Sequence, residues 1–101
     1  MQASVWRFLV RAGKQPEFED LYAPGGLWAA LFHESHAYHG TVLLRSHEHD
    51  RAYTTIDFWD HREAYDAFKA KFASAYAALD REGEQLTETE EHLGWFEDLQ
   101  S

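Results

Sequence analysis

The chain has no cysteine. That excludes a disulfide framework, a thiolate nucleophile and any thiolate metal site, and it fits a reducing, cytoplasmic location. Bases are scarce: 9 Lys and Arg stand against 18 Asp and Glu, for a formal net charge of −9. Such a chain repels phosphate backbones, so no nucleic-acid partner is expected. No apolar run approaches the roughly 20 residues of a membrane span. The start, MQASVWRFLVRAGK, lacks the basic stretch and long apolar run of a secretion signal. No membrane partner is expected either. A phosphate-binding glycine loop is missing: APGGLW lies between helical pieces, without the strand–loop–helix setting or the Lys-Ser/Thr pair. A Gly-x-Ser-x-Gly elbow is missing too.

What is present is apolar surface. Hydrophobic residues make up 45% of the 101 positions and aromatics 16%, which suits one domain over residues 1–101. A domain this small gains burial by pairing with a second copy. The acids crowd the end: after Leu79 come Asp80, Glu82, Glu84, Glu88, Glu90, Glu91, Glu97 and Asp98, against Arg81 alone. A solvated face is the plain reading of that run.

Residues 4–11, SVWRFLVR, read as a strand. KQPEFEDLY reads as a helix start, with Pro16 in the first turn and Glu17, Glu19 and Asp20 at the positive end of its dipole. PGG at 24–26 breaks it, and LWAALFHE resumes helical spacing through Leu27, Trp28, Leu31 and Phe32. Strands follow at 38–46 and 52–59, joined by a polar hairpin, HEHD, at 47–50. Asp60 with Glu63 forms a capping-box pattern. Tyr65, Phe68, Phe72, Tyr76 and Leu79 then give one apolar stripe on a long helix over 61–80, which Gly83 interrupts. Thr87 with Glu90 suggests a short extra turn, and LGWFEDL at 93–99 the last strand. The order β-α-β-β-α-β predicts an α+β, ferredoxin-like antiparallel sheet with both helices on one face.

Alternation sorts each strand into two sets. Trp6, Phe8, Val10, Val42, Leu44, Ile56, Phe58 and Phe96 are apolar and suit the face under the helices. The other set holds Arg7, Arg11, Thr41, Leu43, Arg45, Tyr53, Thr55, Asp57, Trp59, Trp95 and Glu97. Rings mixed with charges of both signs suit a partly enclosed cavity. One open sheet encloses nothing, but two copies packed sheet to sheet do.

The passage TTIDFWDHREAYDAF, the strand YHGTVLL, the helix GGLWAALF and the terminal LGWFE carry a resemblance over nearly the whole chain. The chain resembles the antibiotic biosynthesis monooxygenase (ABM) domain family of the dimeric α+β barrel superfamily. The resemblance implies a homodimer formed through the open sheet faces, with a small, aromatic molecule held in each barrel half. It also implies oxygenation of a phenolic substrate by O2 without a cofactor. The heme-degrading branch uses Asn in the first strand, with Trp and His on the second helix. This chain has no Asn, and 61–80 holds no Trp and only His61, so heme chemistry is not expected. The quinone-forming branch works with Asn, Trp, Tyr and Arg; Trp59, Tyr53 and Arg7 offer three of these types.

On that reading Asp57 or His39 takes the substrate proton. Arg7 or Arg45 holds the resulting anion. Trp59, Tyr53 and Trp95 stack on the ring, beside Thr41. The alternatives stay open: Asp57 in a structural ion pair with Arg7, Arg11 or Arg45, and the rings as interface packing. His33, His36 and His39, and the tetrad His47-Glu48-His49-Asp50, have metal-ligand residue types. The first three span a helix end, a loop and a strand start, and the tetrad sits in an exposed hairpin, so no metal is expected. His61 and His92 flank helix ends and face solvent. The rival reading is a non-catalytic small-molecule-binding or stress-response protein of the same fold.

Overall fold

The computed structural model describes residues 1–99. The elements are β1 (Gln2–Val10), α1 (Gln15–Tyr22), α2 (Leu27–Phe32), β2 (Tyr38–Arg45), β3 (Ala52–Trp59), α3 (Arg62–Lys71), α4 (Ala73–Leu86) and β4 (Thr87–Glu97). The four strands form one sheet in the order β2-β3-β1-β4, every neighbour antiparallel. This is the ferredoxin-like α+β arrangement. The helices cover one face. Among the described residues no helix is long and apolar enough to cross a membrane.

Local chemistry accounts for most boundaries. Pro16 enters α1 in its first turn, where its missing N–H costs nothing. The stripe Tyr65, Phe68, Phe72, Tyr76 and Leu79 packs on the core as its spacing predicts. The long helix nevertheless breaks at Phe72, whose backbone (φ −109°, ψ 34°) leaves helical geometry between α3 and α4.

Three expectations need correction. Gly83 does not interrupt the helix; it lies buried inside α4, where an added Cβ would strike the Tyr22 hydroxyl. Thr87 opens no helical turn. It starts β4, which runs six residues ahead of the expected start at 93, and its hydroxyl donates back to the Gly83 carbonyl (3.3 Å). The cap of α3 is His61, whose Nδ1 accepts from the Ala64 N–H (3.2 Å), while Asp60 turns aside to His39.

The largest correction concerns the two sheet faces. Strand pairing lines up Thr41, Asp57, Ser4 and Trp95 in one cross-strand row, and Leu43, Thr55, Trp6 and His92 in the next. These rows lie under the helices: Trp95 meets Tyr65 of α3 (5.3 Å between rings), and Tyr53 meets Phe18 of α1 (4.8 Å). β1 is sorted as expected, with Trp6, Phe8 and Val10 inward. β2, β3 and β4 are inverted. Val42, Ile56 and Val5 form a row on the open face, and Phe58, Ala3 and Phe96 another. Leu44 is 50% exposed and Phe96 51%. The mixed polar and aromatic set is therefore the inner one, and the aliphatic set faces out.

Two bulges help set this phase. Gly40 and Gly94 take φ of +135° and +133°, a region glycine enters freely. Each sits at a register shift, so Tyr38 and Thr41, three apart, both face the helices, as do His92 and Trp95. The core is largely aromatic. Trp59, fully buried, meets the rings of Phe32, Tyr38, Tyr65 and Phe68 at 5.3–5.4 Å.

Candidate active site

A cavity, open at its mouth, lies between the sheet and the helices. β1 contributes Trp6 and Phe8, α1 Tyr22, and α2 Trp28 and Phe32. Thr41, Thr55 and Asp57 come from β2 and β3; Tyr76 and Asp80 from α4, and Glu90 from β4, complete it. Apolar walls with a few convergent polar groups are the usual make-up of a small-molecule site.

Asp57 lies in its wall. The Thr41 hydroxyl donates to Asp57 Oδ1 (2.6 Å), and the Tyr38 hydroxyl stands 2.5 Å behind Thr41. With Thr41 donating forward, Tyr38 donates to Thr41, and the chain of donors fixes the carboxylate plane. The other oxygen, Oδ2, has no hydrogen bond among the described residues. Loss of hydration pushes Asp57 up from 3.8 to about 6, against the opposing pull of the Thr41 hydrogen bond. Burial also raises Tyr65 and Tyr76, whose hydroxyls meet at 2.5 Å, and the Asp57 charge adds to both shifts. These phenols stay protonated.

At the mouth, Asp80, Glu84 and Glu90 each bring a carboxylate oxygen within 4.8 Å of the others. Burial raises Glu90, and repulsion from Asp80 and Glu84 raises it further. The Tyr22 hydroxyl donates to Glu90 at 3.5 Å. Burial raises Tyr22, the Glu90 charge adds to it, and the nearby Trp28 indole N–H, buried without a hydrogen bond of normal geometry, opposes it.

The sequence-predicted site residues divide sharply. Asp57 and Thr41 meet in the cavity. Tyr53, Trp59 and Trp95 face the helices but do not line it. Tyr53 donates to Glu19 (2.5 Å), Trp59 is core, and Trp95 packs on Tyr65 and His92. His39 lies outside, its Nε2 2.5 Å from Asp60. Arg7 points to the open face and pairs with Glu91 (2.7 Å). Arg45, at the sheet edge, pairs with Glu19 (3.6 Å). Neither arginine reaches Asp57 within the chain; its carboxylate takes the Thr41 hydrogen bond, where an ion pair was the alternative reading. His92 does not simply face solvent: its Nε2 meets Ser4 Oγ at 3.0 Å and its ring lies 4.6 Å from Trp6. Burial lowers it.

Tyr22, Trp28, Tyr76, Asp80 and Glu90 were not singled out as site residues. Trp28 and Tyr76 read as helix stripes, Tyr22 as part of the first helix, and the acids as a solvated run. The register, a property of the folded sheet, pairs Glu90 with inward-facing Phe8.

No family model and no curated protein matches the chain. Solved structures do. SnoaB, a cofactor-independent oxygenase from Streptomyces nogalater, superposes with a TM-score of 0.73 at 29% identity, covering 99% of this chain and 94% of its own. A protein provisionally assigned as an antibiotic biosynthesis monooxygenase from Bordetella bronchiseptica gives 0.75 at 17% identity, covering 97% and 96%. Another from Deinococcus radiodurans gives 0.71 at 13%, covering 100% and 95%. These last two share the fold.

Proposed function

We propose that this chain, which resembles the antibiotic biosynthesis monooxygenase family in sequence pattern and in fold, is a cofactor-independent monooxygenase of a small phenolic aromatic. One observation carries the reading. Asp57, raised to about 6, keeps one oxygen unbonded in a cavity walled by rings. A base with that pKa is ionised at neutral pH yet strong enough to matter, which is what general-base catalysis asks for.

The substrate is a phenolic ring system with a doubly benzylic CH2 conjugated through its rings to a carbonyl, as in anthrone. Asp57 Oδ2 takes a proton from that carbon. The enolate reduces O2 directly, and a carbon–oxygen bond forms. The peroxide takes its proton back from Asp57, and loss of water leaves a new carbonyl. The sum is CH2 plus O2 giving C=O plus H2O. Trp6, Trp28 and Phe32 hold the ring plane and keep bulk water from the enolate.

In the same reading two copies pair through the open faces, where Leu44 and Phe96 are half exposed. The catalytic roles expected of His39 and Arg7 are not part of the reading, because both side chains lie outside the cavity. An oxygen electrode tests the proposal. Purified protein with anthrone should consume O2, and Asp57→Asn should slow it by about 10²–10⁴-fold. Undiminished uptake by Asp57→Asn would refute the assigned base. Binding of anthrone without any uptake would favour the non-catalytic reading.

A further inference from the structure

The cavity wall is electrically one-sided. Asp57, Asp80 and Glu90 line it, and among the described residues no Lys, Arg or His does. Glu84 stands with Asp80 and Glu90, their carboxylate oxygens within 4.8 Å of one another. Four of the chain's six arginines pair elsewhere: Arg7 with Glu91, Arg45 with Glu19, Arg51 with Glu88 and Arg62 with Asp66. Lys69 places its ammonium 4.8 Å over the Tyr76 ring, but in the groove between α3 and α4 rather than in the cavity.

Two consequences follow. An anionic substrate would meet like charge at the mouth and again at Asp57. The enolate formed at Asp57 would also find no counter-charge in the wall. A cation carried by the substrate removes both problems. The rings are suited to it, since the faces of Trp and Tyr attract ammonium groups, and Trp6, Trp28, Tyr22 and Tyr76 line the same space.

We infer that the substrate carries a protonated amine, seated at the mouth against the Asp80–Glu90 carboxylates within the aromatic wall, with its acidic carbon turned to Asp57. This rests on the cavity being the substrate site, and it adds a charge class to the substrate. The ammonium is held by charge and by the ring faces, so selectivity lies at the mouth and the chemistry at the floor.

Trp fluorescence with three matched probes tests it: naphthylmethylammonium, naphthylmethanol and naphthoate, titrated at pH 7.5. The ammonium should bind at least about tenfold more tightly than the alcohol, and naphthoate weakest. The double variant Asp80→Asn/Glu90→Gln should bring the ammonium down to the alcohol's affinity. Glu63→Gln, an equal type of charge loss on exposed α3, should keep the preference. Equal binding of ammonium and alcohol, or a preference that survives the double variant, would overturn the inference. Because the readout is binding, the oxygenase reading stands or falls separately: Asp57-dependent O2 uptake from a neutral anthrone, without the ammonium preference, would sink this inference alone.

Discussion

Raising a carboxyl from 3.8 to about 6 makes the ionised form of Asp57 less favourable in the folded chain by about 2–3 kcal/mol. The sign follows from proton binding. The folded state holds the Asp57 proton more tightly than the unfolded chain, so this group lowers stability as pH rises from about 4 to about 6, and the penalty is full above that. Asp57→Asn removes it while keeping an oxygen for the Thr41 hydroxyl. Its melting temperature at pH 8 should exceed the parent's by several degrees, and the gain should shrink toward pH 4 in thermal melts. On the proposed reading activity runs the other way, because the base works ionised: kcat/KM for oxygen uptake should rise through about pH 6 to a plateau. His39→Ala should leave uptake within about twofold, since His39 pairs with Asp60 outside the cavity. At this scale the sequence was informative where one residue type broke a pattern. A carboxylate among Thr, Ile and Phe marked Asp57. Trp28, Tyr76 and Asp80 broke no pattern, because an apolar helix stripe and an acidic run each have an ordinary use.

Element order and the positions of the first three strands were readable because hydrophobic period and turn residues are local properties. The phase of the sheet was not. Alternation separates two sets of side chains but does not say which set lies under the helices. The greasier set was expected inside; here aliphatic Val42, Leu44 and Ile56 face out, and Tyr53, Thr55, Asp57 and Trp59 face in. Gly40 and Gly94 then break the period within β2 and β4. Gly83 shows the same limit in a helix. A glycine in a helical pattern reads as a break, yet this one admits Tyr22. Tyr22 has little room to move, stacked on Phe18 at 4.3 Å and against Phe8 at 4.8 Å. Gly83→Ala should therefore destabilise the chain by about 1–2 kcal/mol in urea titration, despite the roughly 1 kcal/mol that alanine gains in helix propensity.

For the whole molecule, the inverted phase separates two jobs. Each chain builds its own cavity between sheet and helices, and on the proposed reading the outward aliphatic face pairs with a second copy. The parent should elute as a dimer in size-exclusion chromatography, and Phe96→Asp or Leu44→Asp should shift it toward monomer, since either puts a charge into an apolar interface. A monomeric parent would remove that role from the open face. The central claim is where the substrate sits, and a crystal structure of the protein soaked with anthrone tests it most directly. The ring should lie between the sheet and the helices, against Trp6 and Trp28, with its acidic carbon facing Asp57 Oδ2. Anthrone bound instead on the open face, between paired sheets and away from Asp57, would contradict the account.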